Sequence, residues 1–299
     1  MNPGEQRENF PIFQERPDLV YLDNAATSQK PEAVIRAIEK FYINDNSNIG
    51  RGLYDLAGAA TEQYRSSRRI LADFIGAGAK EVVFTSGCTE GMNLLASTLP
   101  RGKVLVPEMA HHSEQLPWRY QNHEVEFLPT KNGRVDLDYY REKVDSDVDY
   151  VSVSHVSNVF GAENSITDIV EIAHENDAKV ILDAAQSVPR MDVDVKELDI
   201  DFMVFSGHKM LGPTGTGVLY GQKQHLEELR PYEVGGGMVS KVGKHDLEFS
   251  SYPEKFEAGT QNIAGVIGLR EAAEYLDLVG RENIKKHERK LVRKARREL

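Results

Sequence analysis

Between Lys80 and Gly221, short apolar runs alternate with stretches of helical spacing. The runs Glu81–Thr85, Lys103–Val106, Val125–Pro129, Tyr150–Ser154, Lys179–Asp183, Phe202–Ser206 and Gly217–Tyr220 predict seven β-strands. Several are continuously apolar instead of alternating, as expected of strands covered on both faces. Helices are predicted between them near Thr89–Thr98, Ser113–Gln121, Asp136–Val144 and Ile166–Asn176. This alternation points to a layered α/β domain whose mainly parallel, seven-stranded sheet is covered by helices. Upstream, Pro31–Tyr42 and Leu56–Ile75 read as helices framing the loop Asn44–Gly52. Downstream, Glu271–Val279 is helical, Gly280 interrupts, and Glu282–Leu299 resumes with apolar residues at 284, 291, 292, 295 and 299. That spacing makes one apolar stripe on a strongly basic helix. Such a helix docks on the body, serves a further domain, or forms a nucleic-acid or membrane patch.

Charge sharpens the picture of that tail. From Arg281 to Leu299 nine Lys/Arg face three Glu, giving +6 within a chain of net −11 and leaving −17 for the first 280 residues. An acidic body repels phosphate, so nucleic acid is not an expected partner. At 299 residues, 40% hydrophobic and 28% charged, the chain has the composition of a soluble globular protein. No apolar run approaches the roughly 18 residues of a membrane span, and residues 1–20 do not resemble a signal peptide. A single cysteine, Cys88, cannot form an internal disulfide, so a cytoplasmic location is expected.

The residues with chemical potential fall where predicted strands end, which is where an open parallel sheet collects ligands. After the first strand comes Ser86-Gly87-Cys88-Thr89-Glu90-Gly91, entering a helix. The free N–H groups of that helix start and the Thr89 hydroxyl can form a phosphate cup, or Thr89 can be an ordinary cap. Neither nucleotide-loop pattern, G-x-x-x-x-G-K-[ST] or G-x-G-x-x-G after a strand, is present. Asp183 ends a buried strand, where a carboxylate needs a partner: a protonated pyridine nitrogen would be one, the next turn another. Lys209 directly follows the strand Phe202–Ser206 and can reach the sheet edge as a desolvated nucleophile, or lie in solvent as most lysines do. The glycine-rich run Gly212–Gly217 behind it allows backbone to approach a ligand. His111-His112 lacks metal spacing, so no metal is expected, and an imidazole at a strand-end loop suits stacking or proton carriage. A phosphate cup, a ring carboxylate, an imine-forming lysine and a stacking imidazole together describe pyridoxal 5'-phosphate.

The motif series resembles the cysteine desulfurases and selenocysteine lyases of the class V aminotransferase group, fold type I, and within it the Suf-type branch. The resemblance is carried by Tyr21–Thr27, Asn48–Gly52, Ser86–Asn93, His111–Ser113, His155–Gly161, Asp183–Gln186, Phe205–Lys209 through Gly217, Gly235–Met238 and Phe256–Asn262, in family order over nearly the whole chain. It implies that Lys209 holds the cofactor covalently and later moves protons. Asp183 would meet the pyridine nitrogen, Gln186 the phenolic oxygen, and His111 would stack on the ring. Cys88, Thr89, Ser206 and His208 would surround the phosphate, with Thr260 reaching that of a partner subunit in a homodimer. Asn158, Ala26 and Arg51 would lie toward the substrate, L-cysteine or L-selenocysteine.

Two departures qualify the expectation. Relatives carry a C-terminal domain with a sulfur-accepting cysteine and a carboxylate-clamping arginine, and residues 1–299 contain neither. The expected organisation is a large cofactor-binding domain, 1–265, followed by the helical start of a small domain, 266–299. The expected activity is conversion of L-cysteine to L-alanine and transferable sulfur, completed by a separate C-terminal piece or sulfur-acceptor protein. Cys88 reads as a small residue filling the turn and not as that acceptor. The second departure is Gly50, where some relatives carry histidine. Another class V aminotransferase or lyase reaction, and a non-catalytic subunit in iron–sulfur assembly, are the competing readings.

Overall fold

The computed structural model describes residues 3–50 and 52–298. In chain order its helices are α1 (Pro3–Glu8), α2 (Pro11–Glu15), α3 (Glu32–Lys40), α4 (Asp55–Asp73), α5 (Cys88–Thr98), α6 (His112–Tyr120), α7 (Leu137–Lys143), α8 (Ile166–His174), α9 (Lys223–Glu228), α10 (Ile263–Val279) and α11 (Arg281–Glu298). The strands are β1 (Val82–Thr85), β2 (Lys103–Pro107), β3 (Glu124–Leu128), the short pair β4 (Thr130–Lys131) and β5 (Arg134–Val135), β6 (Val148–Ser154), β7 (Lys179–Asp183), β8 (Phe202–Ser206), β9 (Gly217–Gly221), and the hairpin β10 (Val239–Val242) and β11 (Leu247–Phe249). All seven strands expected of the main sheet are present, in the order β1-β9-β8-β7-β6-β2-β3. Six run in one direction, and β9 is antiparallel to both its neighbours.

The continuous apolar runs have a direct physical cause. Successive strand side chains point to opposite faces, and here both faces are covered. Phe84, Leu105, Val180, Leu182, Met203 and Phe205 join one core cluster. Val83, Val104, Val106, Ile181, Phe202 and Val204 join the other. On the edge strand β3, Glu124 and Phe127 are exposed while Leu128 is buried, as suits a strand with one unpaired side.

α10 starts at Ile263, eight residues before the helix read from the sequence. Its first turns are apolar on every side because they pack among α3, α4 and the sheet, so amphipathic spacing did not mark them. α11 resolves the question of the basic tail into two halves. Its first turns rest on the body: Ile284 packs against the core, Arg281 lies over the Phe74 ring and pairs with Asp192, and Lys285 pairs with Glu163. From Arg289 onward every described residue is exposed, Leu291 and Val292 at 52% and 50%.

Candidate active site

Because β9 is inverted, the carboxyl ends of β1, β2, β6, β7 and β8 share one sheet edge with the start of β9. That single edge carries nearly every expected site residue. Gly217 lets the start of β9 pass close to the loop after β1: a Cβ there would lie 2.5 Å from the Gly87 Cα. The helix α5 follows, with Gly87 as its N-cap and Thr89 inside its first turn, so Thr89 is not the cap. The Cys88 N–H donates to the Ser206 Oγ at 2.9 Å, tying the helix start to the end of β8. Among the described residues, the N–H groups of Thr89 and Glu90 have no backbone acceptor, and the Thr89 hydroxyl lies 2.8 Å from that of Ser113. This is an open, donor-rich helix N-terminus of the kind that receives an anion.

Asp183 ends β7, buried, and its Oδ1 accepts the Ala185 N–H at 2.9 Å. It therefore does close the next turn, and its charge acts on the neighbouring Cys88 thiol. Burial and that neighbouring carboxylate push the thiol well above its ordinary range, so Cys88 is a neutral packing residue and not a thiolate. Lys209 closes the short turn Gly207–Lys209 after β8. It is half-buried, makes no ion pair among the described residues, and its charge is felt by Cys88, His111 and His208. Its turn is clamped from outside. The His208 carbonyl accepts bonds from the Ser28 N–H and hydroxyl, both 2.9 Å, and from Lys30 Nζ at 3.0 Å.

His111 is the N-cap of α6, its Nδ1 accepting the Ser113 N–H at 3.1 Å. Partial burial and the Lys209 charge lower its pKa, which favours the neutral imidazole. Desolvation, with Lys209 and Lys30, does the same to His208, whose Nδ1 sits 3.2 Å from the Thr27 hydroxyl. Gln186 is held at both ends of its amide, donating to the Ala25 carbonyl at 2.8 Å and accepting from Arg190 at 3.2 Å. Lys209 and Gln186 open into a groove of about 460 Å³, walled by α1 and α2 on one side and α10 and α11 on the other.

Not every expected residue joins this cluster. Asn158 is exposed on the loop after β6, and Ala26 is exposed beside the Lys209 clamp. Arg51 lies outside the described residues. Thr260 lines a different groove, with Asn48, Gly50, Arg65 and Gly237. At Gly50 the backbone has φ +99° and its N–H donates to the Thr61 hydroxyl, a conformation in which histidine would be strained. Two groups, one partly and one fully buried, escaped the sequence reading. Lys30 follows the matched Tyr21–Thr27 stretch by three residues, and burial lowers its pKa to about 8. Glu114 follows the matched His111–Ser113 and reads as solvated helix surface, yet it is fully buried.

The donor set fits pyridoxal phosphate. Among the described residues, an amine without an ion pair, a buried carboxylate one strand away and an open helix N-terminus lie along the same edge. Residues 20–299 match the class-V aminotransferase family. The chain belongs to that family. Class-V aminotransferases are pyridoxal-phosphate proteins, so the cofactor inferred from the site is the one the family uses. This class-V chain is 41% identical over 310 residues to a probable cysteine desulfurase of Halalkalibacterium halodurans, covering 99% of itself and 76% of the relative. It is 42% identical over 290 residues to a cysteine desulfurase of Haloferax volcanii, covering 93% and 68%. The apo structure of a cysteine desulfurase from Thermococcus onnurineus superposes with a TM-score of 0.93 at 37% identity, covering 98% of this chain and 76% of that one.

Proposed function

We propose that this class-V protein is a cysteine desulfurase: it converts L-cysteine to L-alanine and passes the sulfur atom to an acceptor thiol. The observation that carries the reading is the placement of the Lys209 amine, without an ion pair, at the end of β8 beside buried Asp183 at the end of β7. The similarity to cysteine desulfurases over nearly the whole chain supports the choice of substrate. Bound pyridoxal phosphate supplies an electron-withdrawing ring that stabilises negative charge on the amino-acid α-carbon.

The chain's own residues supply the rest. Lys209 would hold the cofactor through its primary amine, and its Nζ would serve as the base for the α-carbon proton. Asp183 would face the ring nitrogen and favour its protonated form. The open N–H groups of α5, with Thr89 and His208, would hold the phosphate. His111 presents a neutral ring whose Nδ1 is occupied, leaving Nε2 as the proton-bearing atom. The sulfur step balances with a thiol acceptor: L-cysteine and R–SH give L-alanine and R–S–SH. Cys88 is the single cysteine of the sequence, and its buried, neutral thiol is a poor nucleophile. The acceptor is therefore a thiol outside residues 1–299, on a C-terminal domain or a separate protein, with iron–sulfur assembly in the cytoplasm as the destination. The exposed half of α11 supports a partner segment that covers it, whereas α10 packs into the core of the body, so the boundary expected near residue 265 falls inside a buried helix.

A homodimer is part of the same proposal. Leu22 and Leu53 are 89% and 103% exposed, and Ile43 and Tyr54 are also exposed, large apolar side chains that a second copy could cover. Thr260, remote from the Lys209 groove, would then serve the second copy's phosphate.

The test is reconstitution with pyridoxal phosphate, borohydride reduction and peptide mapping, followed by incubation with L-cysteine and a thiol acceptor. The expected result is a tagged peptide containing Lys209, with alanine and reducible sulfur in equal amounts, both lost in Lys209→Ala. A keto acid without sulfur transfer would assign the site to aminotransfer, and a chain that takes up no cofactor would assign it a non-catalytic role.

A further inference from the structure

Beneath the site lies a carboxyl group that the reading above does not use. Glu114, on the first turns of α6, has no solvent exposure. Its Oε2 meets the Ser154 hydroxyl at the end of β6, and its Oε1 has no partner. Ser154 is the register partner of Asp183 on the neighbouring strand, which places Glu114 behind the ring-nitrogen carboxylate. The titratable groups that face Glu114 are Asp183 from β7 and Cys88 from α5, and Lys209 and His111 act on that pair from the cofactor side.

Two carboxyl groups this close in a buried place cannot both be ionised without large cost. The hydrogen-bond inventory decides which one keeps its charge. Asp183 receives a fixed backbone N–H, which can only donate and so favours an anion, and it lies beside the neutral Cys88 thiol. Glu114 has one hydroxyl, which can donate or accept, and an oxygen with nothing to bond. We propose that Glu114 is a positioning residue that stays protonated, leaving Asp183 as the single negative charge behind the cofactor ring. It acts through Asp183 and touches neither cofactor nor substrate. Desolvation and the Asp183 charge both push the Glu114 proton affinity up, in agreement with that assignment. This inference rests on the desulfurase reading only for the identity of the ring; the protonation state is a property of the apoprotein.

The experiment is infrared spectroscopy of the apoprotein grown with carboxyl-13C glutamate. A protonated-carboxyl band that shifts on labelling is expected at pH 7, absent in Glu114→Gln. The absence of such a band in wild-type apoprotein would overturn the proposal, and this part needs no variant to fold. In cofactor-loaded protein, the visible-band pH titration of Glu114→Gln is expected to superimpose on wild type around neutrality, because one neutral group replaces another. A shift of one pH unit or more in that variant would mean that Glu114 was charged, and would also overturn it. Failure to bind cofactor at all would sink the functional reading while leaving the infrared result to decide Glu114.

Discussion

Two buried carboxyl groups in this molecule have opposite surroundings. Glu257, on the far side of β1 from Lys209, receives a two-pronged bond from Arg68 at 2.7 Å on each oxygen, the Phe84 N–H at 2.8 Å and the Tyr64 hydroxyl at 3.0 Å. Arg68 also stacks over the Phe84 ring and donates to the Val82 carbonyl. Glu114 has a single hydroxyl and an orphan oxygen. A carboxylate surrounded by four donors becomes a strut. One left almost without donors gives up its charge and becomes a device for setting its neighbour's. Glu257 is the strut. It joins α4 and β1 to the loop that carries Thr260, and burial is affordable there because every lone pair is used.

The largest expected effect comes from breaking the strut. Glu257→Ala leaves the Arg68 guanidinium buried without its counter-ion and should cost about 3–5 kcal/mol in urea unfolding. A loss below about 1 kcal/mol would show that water reaches the pair. His155 extends the contrast to a base. It is buried with an unpartnered Nδ1, and burial lowers its pKa from 6.5 to about 4. Its neutral form is the folded one, so its contribution is present above pH 6.5 and lost as pH falls toward 4. At about 1.4 kcal/mol per pH unit this is about 3 kcal/mol, absent in a non-titrating His155→Asn control. The measurement is the pH dependence of the unfolding free energy of the two proteins.

Glu114 carries the opposite sign. Its folded proton affinity is raised from the ordinary 4.5, so its contribution is complete below pH 4.5 and is lost as pH rises toward and through the folded value. Wild type should therefore lose ground against Glu114→Gln by about 1.4 kcal/mol per pH unit in that window. Parallel stability curves for the two proteins would erase the contrast with Glu257. The smallest effect belongs to the exposed half of α11. Leu291→Lys should change stability by no more than about 0.5 kcal/mol, and a larger loss would reveal a contact that the described residues do not make.

Most of the scaffold was legible because its signals are local. Continuous apolar runs marked β7 and β8, and each stopped at residues of the candidate site: Asp183 at the end of β7, and Ser206 to Lys209 after β8. The extent of α10 was hidden by its burial on all sides. α11 was read as a basic amphipathic helix, but which half of it docks depends on Phe74, Asp192 and Glu163, none of them its neighbours in sequence. Thr89 looked like a cap and proved to be the second residue of the helix, because Gly87 turns the chain first.

The amino-acid order alone determined the strand ends, the position of Lys209 directly after β8 and the family of the chain, since each is written in a few contiguous residues. The tertiary structure alone decided that Glu114 is buried behind Asp183, that Lys30 clamps the Lys209 turn, and that Glu257 is satisfied four times over. A group's charge in the interior is set by which donors and charges the strand order brings beside it, and those partners lie far away along the chain.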